Sequence, residues 1–307
     1  MTYRLPVFMI LLVTAALQGK AQEARFNGDW FIQNLGPTIN TEYRDRFSMI
    51  SPDGLALYFS SDRPSNLGNP NERGRKPWDI YVAWRNSADE PFGEAVNLGP
   101  TVNSPYRDHS ASFSPDGLSM YFASDRPGGC GGYDLYVSYR QDANDHSGWQ
   151  APEHLGCTVN TRFDESCPIL TTDERTDFAL LYLVRNALPG EPNHDIYVTQ
   201  LHLGTREFEE ALPVTELNTS VHDGHFDPRH GLIWSLRDGG YGGADLWVTG
   251  WLEQGGWSPP ENLGPSINSE HNEELPSATS DGRLYFPSDR PGGFGDEDIY
   301  VATPADP

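Results

Sequence analysis

The sequence repeats one pattern five times, and this repetition constrains the fold more than any other feature. Each copy combines a turn such as "SPDG", a hydrophobic run such as "YFAS", a loop and a tetrad such as "DIYV". The copies are roughly 55 residues apart, a spacing typical of proteins built from one repeated supersecondary unit. The Asp that opens each tetrad marks the five copies: Asp79, Asp134, Asp195, Asp245 and Asp298.

Each unit predicts short β-strands separated by turns, with almost no helical periodicity. In the second unit "SASF", "LSMYFAS" and "DLYVSYR" predict three strands, and "GWQAPEHLG" predicts a fourth, outer strand. Four strands per repeated unit is typical of a β-propeller blade. We therefore predict an all-β fold, a single five-bladed β-propeller with four-stranded antiparallel blades over residues 22–307. The units are approximately 36–98, 99–155, 156–214, 215–263, and 264–307 together with 28–35.

The two ends of the predicted propeller complete one blade between them. The last unit ends on a third strand, "DIYVATP", whereas "NGDWFIQNLG" near the N-terminus resembles an orphan fourth strand. We expect this N-terminal strand to complete the last blade, because closure removes the open sheet edges that promote aggregation.

Residues 1–21 differ in kind from the repeats. Arg4 precedes an apolar run from Leu5 to Leu17, and small residues surround the bond after Ala21. This pattern predicts a secretory signal peptide cleaved near Ala21, and hence a periplasmic or secreted protein. The formal charge of −23 argues against nucleic acid as a partner, and no later segment is apolar enough for membrane insertion.

The repeat "SPDGxxxYFxSDRPGGxGxxDIYV" resembles the WD40-like β-propeller repeats found in TolB and in OmpA-associated cell-envelope proteins. The match is strong in units one, two and five, and weaker in "TTDERTDFALLYLVRN" and "DPRHGLIWSLRD". The resemblance implies a propeller fold and a cell-envelope location. TolB carries an additional domain and a sixth blade, neither of which this pattern predicts.

The Gly-rich loops are predicted to be scaffold, because no helix follows them to complete a phosphate site. Glycine supplies the backbone angles that such tight loops need. Each unit also contains an Arg shortly before its loop, which we expect to pair with the tetrad Asp of the same blade. These arginines are Arg63, Arg126, Arg185, Arg237 and Arg290.

A second column of residues predicts a ligand site. Each unit places a carboxylate near the entrance of its innermost strand, where the five blades converge; these acids are Asp45, Asp108, Glu165, Asp223 and Glu273. Beside them lie aromatic or imidazole side chains, namely Tyr43, Tyr106, Phe163, His222 and His271. Crowded carboxylates repel one another, so a cation such as Ca²⁺ is a candidate ligand of the acids. Alternatively, the acids bond to backbone amides or to Arg44, Arg46 and Arg107.

Three cysteines in an exported chain predict one disulfide and one thiol. Cys130 and Cys157 fall in loops on the same face of the predicted second blade, so we expect a Cys130–Cys157 disulfide. Cys167 lies on an inner strand and is expected to be a buried thiol.

No G-x-S-x-G, H-E-x-x-H, Walker or Cys/His zinc motif is present. We therefore predict a non-catalytic binding module that contacts a protein or a cell-envelope component through its loop face. Carbohydrate is a further candidate partner. The alternative is a glycoside hydrolase or carbohydrate-binding propeller that uses the acidic channel mouth, since carboxylates from different blades could act as acid and base.

Overall fold

A computed structural model describes residues 28–65, 77–173, 175–186, 194–252 and 254–305. The predicted signal peptide lies outside these residues. Within them the chain contains 21 strands and no helix, so no helix is long and apolar enough to cross a membrane.

The strands form five separate antiparallel sheets, one for each predicted blade. The first blade comprises β2 (Asp45–Ile50), β3 (Ala56–Ser61), β4 (Asp79–Trp84) and β5 (Val96–Asn97). The second comprises β6 (Asp108–Phe113), β7 (Ser119–Ser124), β8 (Asp134–Tyr139) and β9 (Glu153–His154). The third comprises β10 (Asp164–Thr172), β11 (Phe178–Asn186), β12 (Asp195–His202), β13 (Glu207–Phe208) and β14 (Leu212–Pro213). The fourth comprises β15 (Asp223–Asp227), β16 (Leu232–Ser235), β17 (Asp245–Val248) and β18 (Glu261–Asn262). The fifth comprises β19 (Ser277–Ala278), β20 (Leu284–Ser288), β21 (Asp298–Pro304) and β1 (Trp30–Asn34).

These sheets confirm the five-bladed, all-β propeller, and β1 closes it as predicted. β1 pairs antiparallel with β21, from Trp30 opposite Pro304 to Asn34 opposite Tyr300. The third blade differs slightly, because its outer strand is split into β13 and β14, which both pair with β12.

Hydrogen bonds near the axis join every blade to the next. The amide of each predicted site acid donates to the carbonyl of the residue before the tetrad Asp in the preceding blade, over 2.7–2.9 Å. The pairs are Asp45 with Glu297, Asp108 with Trp78, Glu165 with Tyr133, Asp223 with His194, and Glu273 with Ala244. Because the first pair links the fifth blade to the first, the ring of hydrogen bonds is continuous.

The hydrophobic cores lie between neighbouring blades. The core between the first two blades, for example, joins Tyr58 and Val82 to Phe113 and Trp149. Alternate side chains of a strand point to opposite faces of its sheet, so each blade contributes to two cores. The blades therefore stabilise one another.

Candidate functional site

The five carboxylates predicted to line the channel mouth are buried inside their own blades. Asp45 is 0% exposed, and one of its oxygens accepts hydrogen bonds from the Thr41 amide at 2.7 Å and hydroxyl at 2.9 Å. Its other oxygen accepts from Arg63 Nη2 at 2.5 Å. A Thr or Ser four residues earlier and the repeated Arg hold the remaining acids too, although in the two glutamates the hydroxyl and the Arg bond to one oxygen and the amide to the other. The sets are Ser104–Asp108–Arg126, Thr161–Glu165–Arg185, Thr219–Asp223–Arg237 and Ser269–Glu273–Arg290.

This arrangement does not fit the predicted Ca²⁺ site. A calcium ion takes six to eight oxygen ligands, and these carboxylate oxygens already accept hydrogen bonds from cationic or amide donors. The ring of acids is therefore a structural feature of the blades. Of the two alternatives for these acids, bonding to backbone amides is observed, whereas the arginine that each acid contacts is the repeated one and not Arg44, Arg46 or Arg107.

The predicted pairing of the repeated Arg with the tetrad Asp is wrong. The tetrad Asp instead holds the Gly-rich loop: Asp134 accepts hydrogen bonds from the amides of Cys130 and Gly131. Asp245 and Asp298 hold the corresponding loops of the fourth and fifth blades in the same way. The site acid contacts the Arg because the two lie at paired strand ends. Glu165 pairs with Arg185 itself, and in the first, second and fourth blades the acid pairs with the Ser two residues before the Arg.

Gly131 shows why the loop needs glycine at this point. A Cβ there would collide with the carbonyl oxygens of Thr161 and Phe163 in the next blade. Gly242 and Gly295 pack equally closely against the backbone at His271 and Tyr43. The Gly-rich loops thus serve as scaffold in the second, fourth and fifth blades, since they let neighbouring blades approach.

The side chains that meet at the channel mouth are displaced by one residue from the predicted acids. Arg46, next to Asp45, crosses to the fifth blade and forms ion pairs with Glu274 and with Glu297, the latter over 3.1 Å. These three side chains are 13–18% exposed. A shift of one residue along a strand moves a side chain to the opposite face. We call Arg46, Glu274 and Glu297 the mouth triad.

Burial raises the pKa of Glu274, and the negative charge of Glu297 acts in the same direction. Arg46 opposes this rise by stabilising the carboxylate. Both carboxylates of the triad are thus directed at a single guanidinium, on the side of the mouth formed by the first and fifth blades.

Aromatic side chains continue the mouth along the first and second blades. The His109 ring lies 4.7 Å from the rings of both Phe47 and Tyr133, measured between centroids. Phe47 also packs edge-on against Trp78 at 5.8 Å, with the Arg46 guanidinium 4.7 Å above its ring. Burial, together with the nearby arginines, lowers the pKa of His109 to about 3, so its ring is neutral.

On the opposite side the mouth is formed by the third and fourth blades. His222 lies between His194, at 4.1 Å between ring centroids, and Trp234, at 4.8 Å. Gly224 makes room for the Trp234 ring, since a Cβ at this position would collide with it. His222, one of the five aromatic or imidazole residues predicted at the mouth, therefore packs there with His194 and Trp234.

The other predicted rings have different neighbours. Phe163 lies beneath the Arg162 guanidinium at 4.9 Å, and His271 lies 3.9 Å from the Glu270 carboxylate. Tyr43 and Tyr106 occupy the turn before the inner strand, where each amide donates to the hydroxyl of the preceding Thr or Ser. The turns that carry them lead into the backbone hydrogen bonds to the preceding blade, from Asp45 to Glu297 and from Asp108 to Trp78.

Below the mouth, side chains fill the channel. A cavity of about 10 Å³ on the axis is lined by residues from all five blades, among them Phe47, Ser110, Cys167, His225 and Leu275. Four of these residues have a positive φ of 44–58°, and the register shifts beside them in three inner strands, which are β-bulges. The bulges direct the inner strands toward the axis, so side chains close the channel below the mouth.

The structure joins Cys130 to Cys157 with a Cα–Cα distance of 5.8 Å, and Cys167 is a buried free thiol. Asp134 and His154 lie beside Cys130, with the three candidate ligand atoms within 4.8 Å of one another. They do not form a free metal-ligand set, because the sulfur is bonded to Cys157 and His154 Nε2, the nitrogen nearest Cys130, lies 3.0 Å from the Asn160 side-chain nitrogen.

No protein-family model and no curated protein matches the sequence, but several solved structures share its fold. An α-L-arabinofuranosidase from Lactobacillus brevis is 11% identical, with a TM-score of 0.54 over 88% of this chain and 92% of its own. An exo-β-1,3-galactanase from Phanerochaete chrysosporium, solved with galactose, is 12% identical, with a TM-score of 0.51 over 90% of this chain and 65% of its own. TolB from Acinetobacter baumannii is 12% identical, with a TM-score of 0.38 over 83% of this chain and 53% of its own. At these identities the likenesses show the fold alone, and membership of the WD40-like repeat family stays a prediction.

Proposed function

We propose that the protein is a carbohydrate-binding propeller that holds a glycan at the channel mouth without hydrolysing it. The observation that carries this proposal is the composition of the mouth, where aromatic rings of the first, second and fourth blades lie around the axis together with the mouth triad.

This composition suits a sugar. The apolar faces of a pyranose or furanose ring pack against aromatic side chains, while its hydroxyls exchange hydrogen bonds with carboxylates, guanidinium and imidazole groups. Trp78, Tyr133 and Trp234 supply the rings, and Glu274 and Arg46 supply a hydrogen-bond acceptor and a donor. A site that combines flat apolar surfaces with a few charged groups favours a neutral, polyhydroxylated ligand.

The arrangement of carboxylates supports binding rather than hydrolysis. A glycosidase needs two carboxyl groups that flank the scissile bond, about 5–10 Å apart, one as acid and the other as nucleophile or base. The five ring acids are held by arginines and hydroxyls, and Glu274 and Glu297 are both held by Arg46. Although burial raises the pKa of Glu274, its carboxylate and that of Glu297 are both bonded to the Arg46 guanidinium, so neither is free to attack a sugar.

Two further considerations guide the choice of ligand. An arabinofuranosidase and a galactanase share this fold, which makes arabinose- and galactose-containing oligosaccharides the first probes to use. The predicted signal peptide would place the mouth outside the cytoplasm, in contact with envelope or extracellular polysaccharides.

The proposal is tested by calorimetric titration of the purified mature chain with arabino- and galacto-oligosaccharides, with product analysis by chromatography after prolonged incubation. We expect binding without release of shorter sugars, and about tenfold weaker binding for Trp234→Ala. Trp84→Ala is the matched control, because Trp84 is 42% exposed on the outer part of the first blade.

Release of sugars that is abolished by Glu274→Gln would overturn the non-catalytic proposal in favour of a glycoside hydrolase. Failure of the chain to bind any glycan of a broad array would overturn carbohydrate binding altogether. The first prediction from sequence, a protein partner at the loop face, would then be the better account.

A further inference from the structure

Three of the five gaps between neighbouring blades are closed by a pair of large side chains from fixed repeat positions. One member lies six residues after the tetrad Asp, and the other lies five residues before the end of the outer strand. The pairs are Arg85 with Phe92 and Arg140 with Trp149, each with the guanidinium 4.4 Å from the ring, and Trp251 with Trp257 at 5.1 Å. We call each pair a plug.

The gap between the second and third blades lacks such a plug. Its two plug positions hold Leu201 and Phe208, and Leu170 takes the place that Phe113 has in the preceding gap. Each replacement is smaller or less polar than its counterpart, and Phe208 is only half-buried. A cleft of about 620 Å³ opens here, a volume in the range of small-molecule and peptide sites.

The third blade enlarges this cleft by projecting beyond its neighbour. β10 and β11 are nine residues long, whereas β6 and β7 are six. Two of the three additional residues in each strand lie at the turn end, remote from the channel mouth, and the turn after β12, which carries Leu203 and Arg206, lies beside them. The cleft is therefore an open trough, bounded on one side by the shorter second blade and on the other by the longer third blade.

The lining of the cleft is apolar within and charged at its rim. Val137, Leu170 and Leu201 are buried in its floor, and Leu203 is 45% exposed beside them. The Asp116 and Glu153 carboxylates are exposed at the rim, and within the described part of the chain Glu153 forms no ion pair. The Arg206 guanidinium lies 5.3 Å from the centroid of the Tyr139 ring and covers one of its faces.

We propose that this cleft binds an extended peptide segment of a partner protein, with an apolar side chain on the leucine floor and an adjacent Lys or Arg beside Glu153 and Asp116. An open trough admits a continuous chain, and its apolar floor provides the anchor pocket that such interfaces use. The charge of −23 complements a basic segment and accelerates its association. This site is separate from the mouth, and it does not depend on the proposed carbohydrate binding.

The test uses methyl NMR of leucine-labelled mature chain with three acetylated, amidated pentapeptides: SKFKS, SEFES and SKSKS. We expect SKFKS to shift the methyl signals of Leu155, Leu170, Leu201 and Leu203, which line the cleft, and to leave Leu232 and Leu284 unchanged. SEFES should bind at least threefold more weakly because of repulsion by the rim, and SKSKS should show no saturable binding.

Two surface variants and one graft locate the site. Leu203→Ser should weaken SKFKS binding about fivefold, and Glu153→Gln about twofold. Leu212→Ser is the matched control, since Leu212 is 44% exposed on the same blade but outside the cleft. The double variant Leu201→Arg/Phe208→Trp places the Arg140–Trp149 pair of the second blade at the equivalent positions of the third. It should fill the cleft and abolish binding.

The proposal is overturned if none of the peptides shifts the cleft methyls at millimolar concentration, or if SEFES binds as well as SKFKS. It is also overturned if a neutral aromatic probe, N-phenyl-1-naphthylamine, shifts these methyls while SKFKS does not, because the cleft would then be a small-molecule site. Equal SKFKS binding by Leu203→Ser and wild type would likewise contradict it.

Discussion

The most informative single substitution is Asp108→Asn, because two accounts of this residue predict opposite changes in the melting temperature. Asp108 is 0% exposed; one oxygen accepts from the Ser104 amide and hydroxyl at 2.6 and 2.7 Å, and the other accepts from Arg126 at 2.5 Å. Asparagine has one oxygen, so its NH₂ group must face a hydrogen-bond donor in either orientation. The Arg126 side chain, 18% exposed, also loses its counter-charge.

Breaking a buried ion pair by removing one partner costs about 3–5 kcal/mol. For a domain of this size, each kcal/mol lowers the melting temperature by roughly 2–4 °C, so we expect a decrease of about 6–20 °C. A ring of mutually repelling carboxylates would behave differently, since neutralising one member would relieve repulsion and raise the melting temperature.

Calorimetry and urea unfolding of the mature chain measure this effect. Glu94→Gln, which changes an exposed carboxylate, should alter the free energy of unfolding by less than about 0.5 kcal/mol. In the double variant Asp108→Asn/Arg126→Gln the loss should be smaller than the sum of the single losses, because the two residues interact. An unchanged or higher melting temperature for Asp108→Asn would refute the structural role of the acid ring.

Three further predictions concern stability. Burial lowers the pKa of His225 to about 4, against about 6.5 when unfolded. The unfolded chain therefore binds the proton first, so the free energy of unfolding is highest above pH 6.5 and decreases as the pH falls toward 4. Unfolding measured from pH 7 to 4.5 should show a loss of stability to which His225 contributes about 2–3 kcal/mol and His109 a similar amount, so that His225→Phe removes about half of it; the same pH slope in His225→Phe would contradict this. Replacing the Cys130–Cys157 disulfide with two serines frees a loop of 27 residues and should cost about 3–4 kcal/mol in urea unfolding, and a loss below 1 kcal/mol would argue against the bond. Gly131→Ala should lower stability by about 1–3 kcal/mol through collision with the next blade, whereas Gly204→Ala, which meets no atom within 4 Å, should have little effect; similar melting temperatures for the two variants would refute the close packing.

Much of the architecture could be predicted from the repeats, because tight turns and alternating strands leave a clear periodic pattern. The blade number, the closing strand β1 and the scaffold role of the Gly-rich loops all depend on such local signals. The strand pairing of Trp30 with Pro304 is the observation that confirms closure.

The candidate site could be predicted only to within one residue. The pattern placed Asp45 at the mouth, whereas its neighbour Arg46 occupies it, because side-chain direction at a strand entrance depends on the β-bulge that follows. A signal for the true role of the acids was present, namely the Thr or Ser four residues before each of them. A hydroxyl residue at this spacing can cap a carboxylate through its amide and side chain.

Tyr133 and His194, each of which precedes a tetrad Asp, also escaped prediction. Trp78, Tyr133 and His194 differ from one another, whereas the tetrads beside them are nearly constant. A varying position next to a constant one indicates a side chain that the blade itself does not require. The open gap between the second and third blades was missed for a different reason, because cavity formation depends on how Leu201 and Phe208 pack against another blade.

The central claim, that the aromatic side chains at the channel mouth form the ligand site, is tested most directly by the indole N–H signals in NMR spectra. The chain has eight tryptophans, and among the described ones Trp78 and Trp234 lie at the mouth. During titration with arabino- or galacto-oligosaccharides we predict saturable shifts of the Trp78 and Trp234 signals, with those of Trp149 and Trp257, in the plugs, unchanged. Shifts confined to other tryptophans, or no shift with any glycan that the chain binds, would contradict this account.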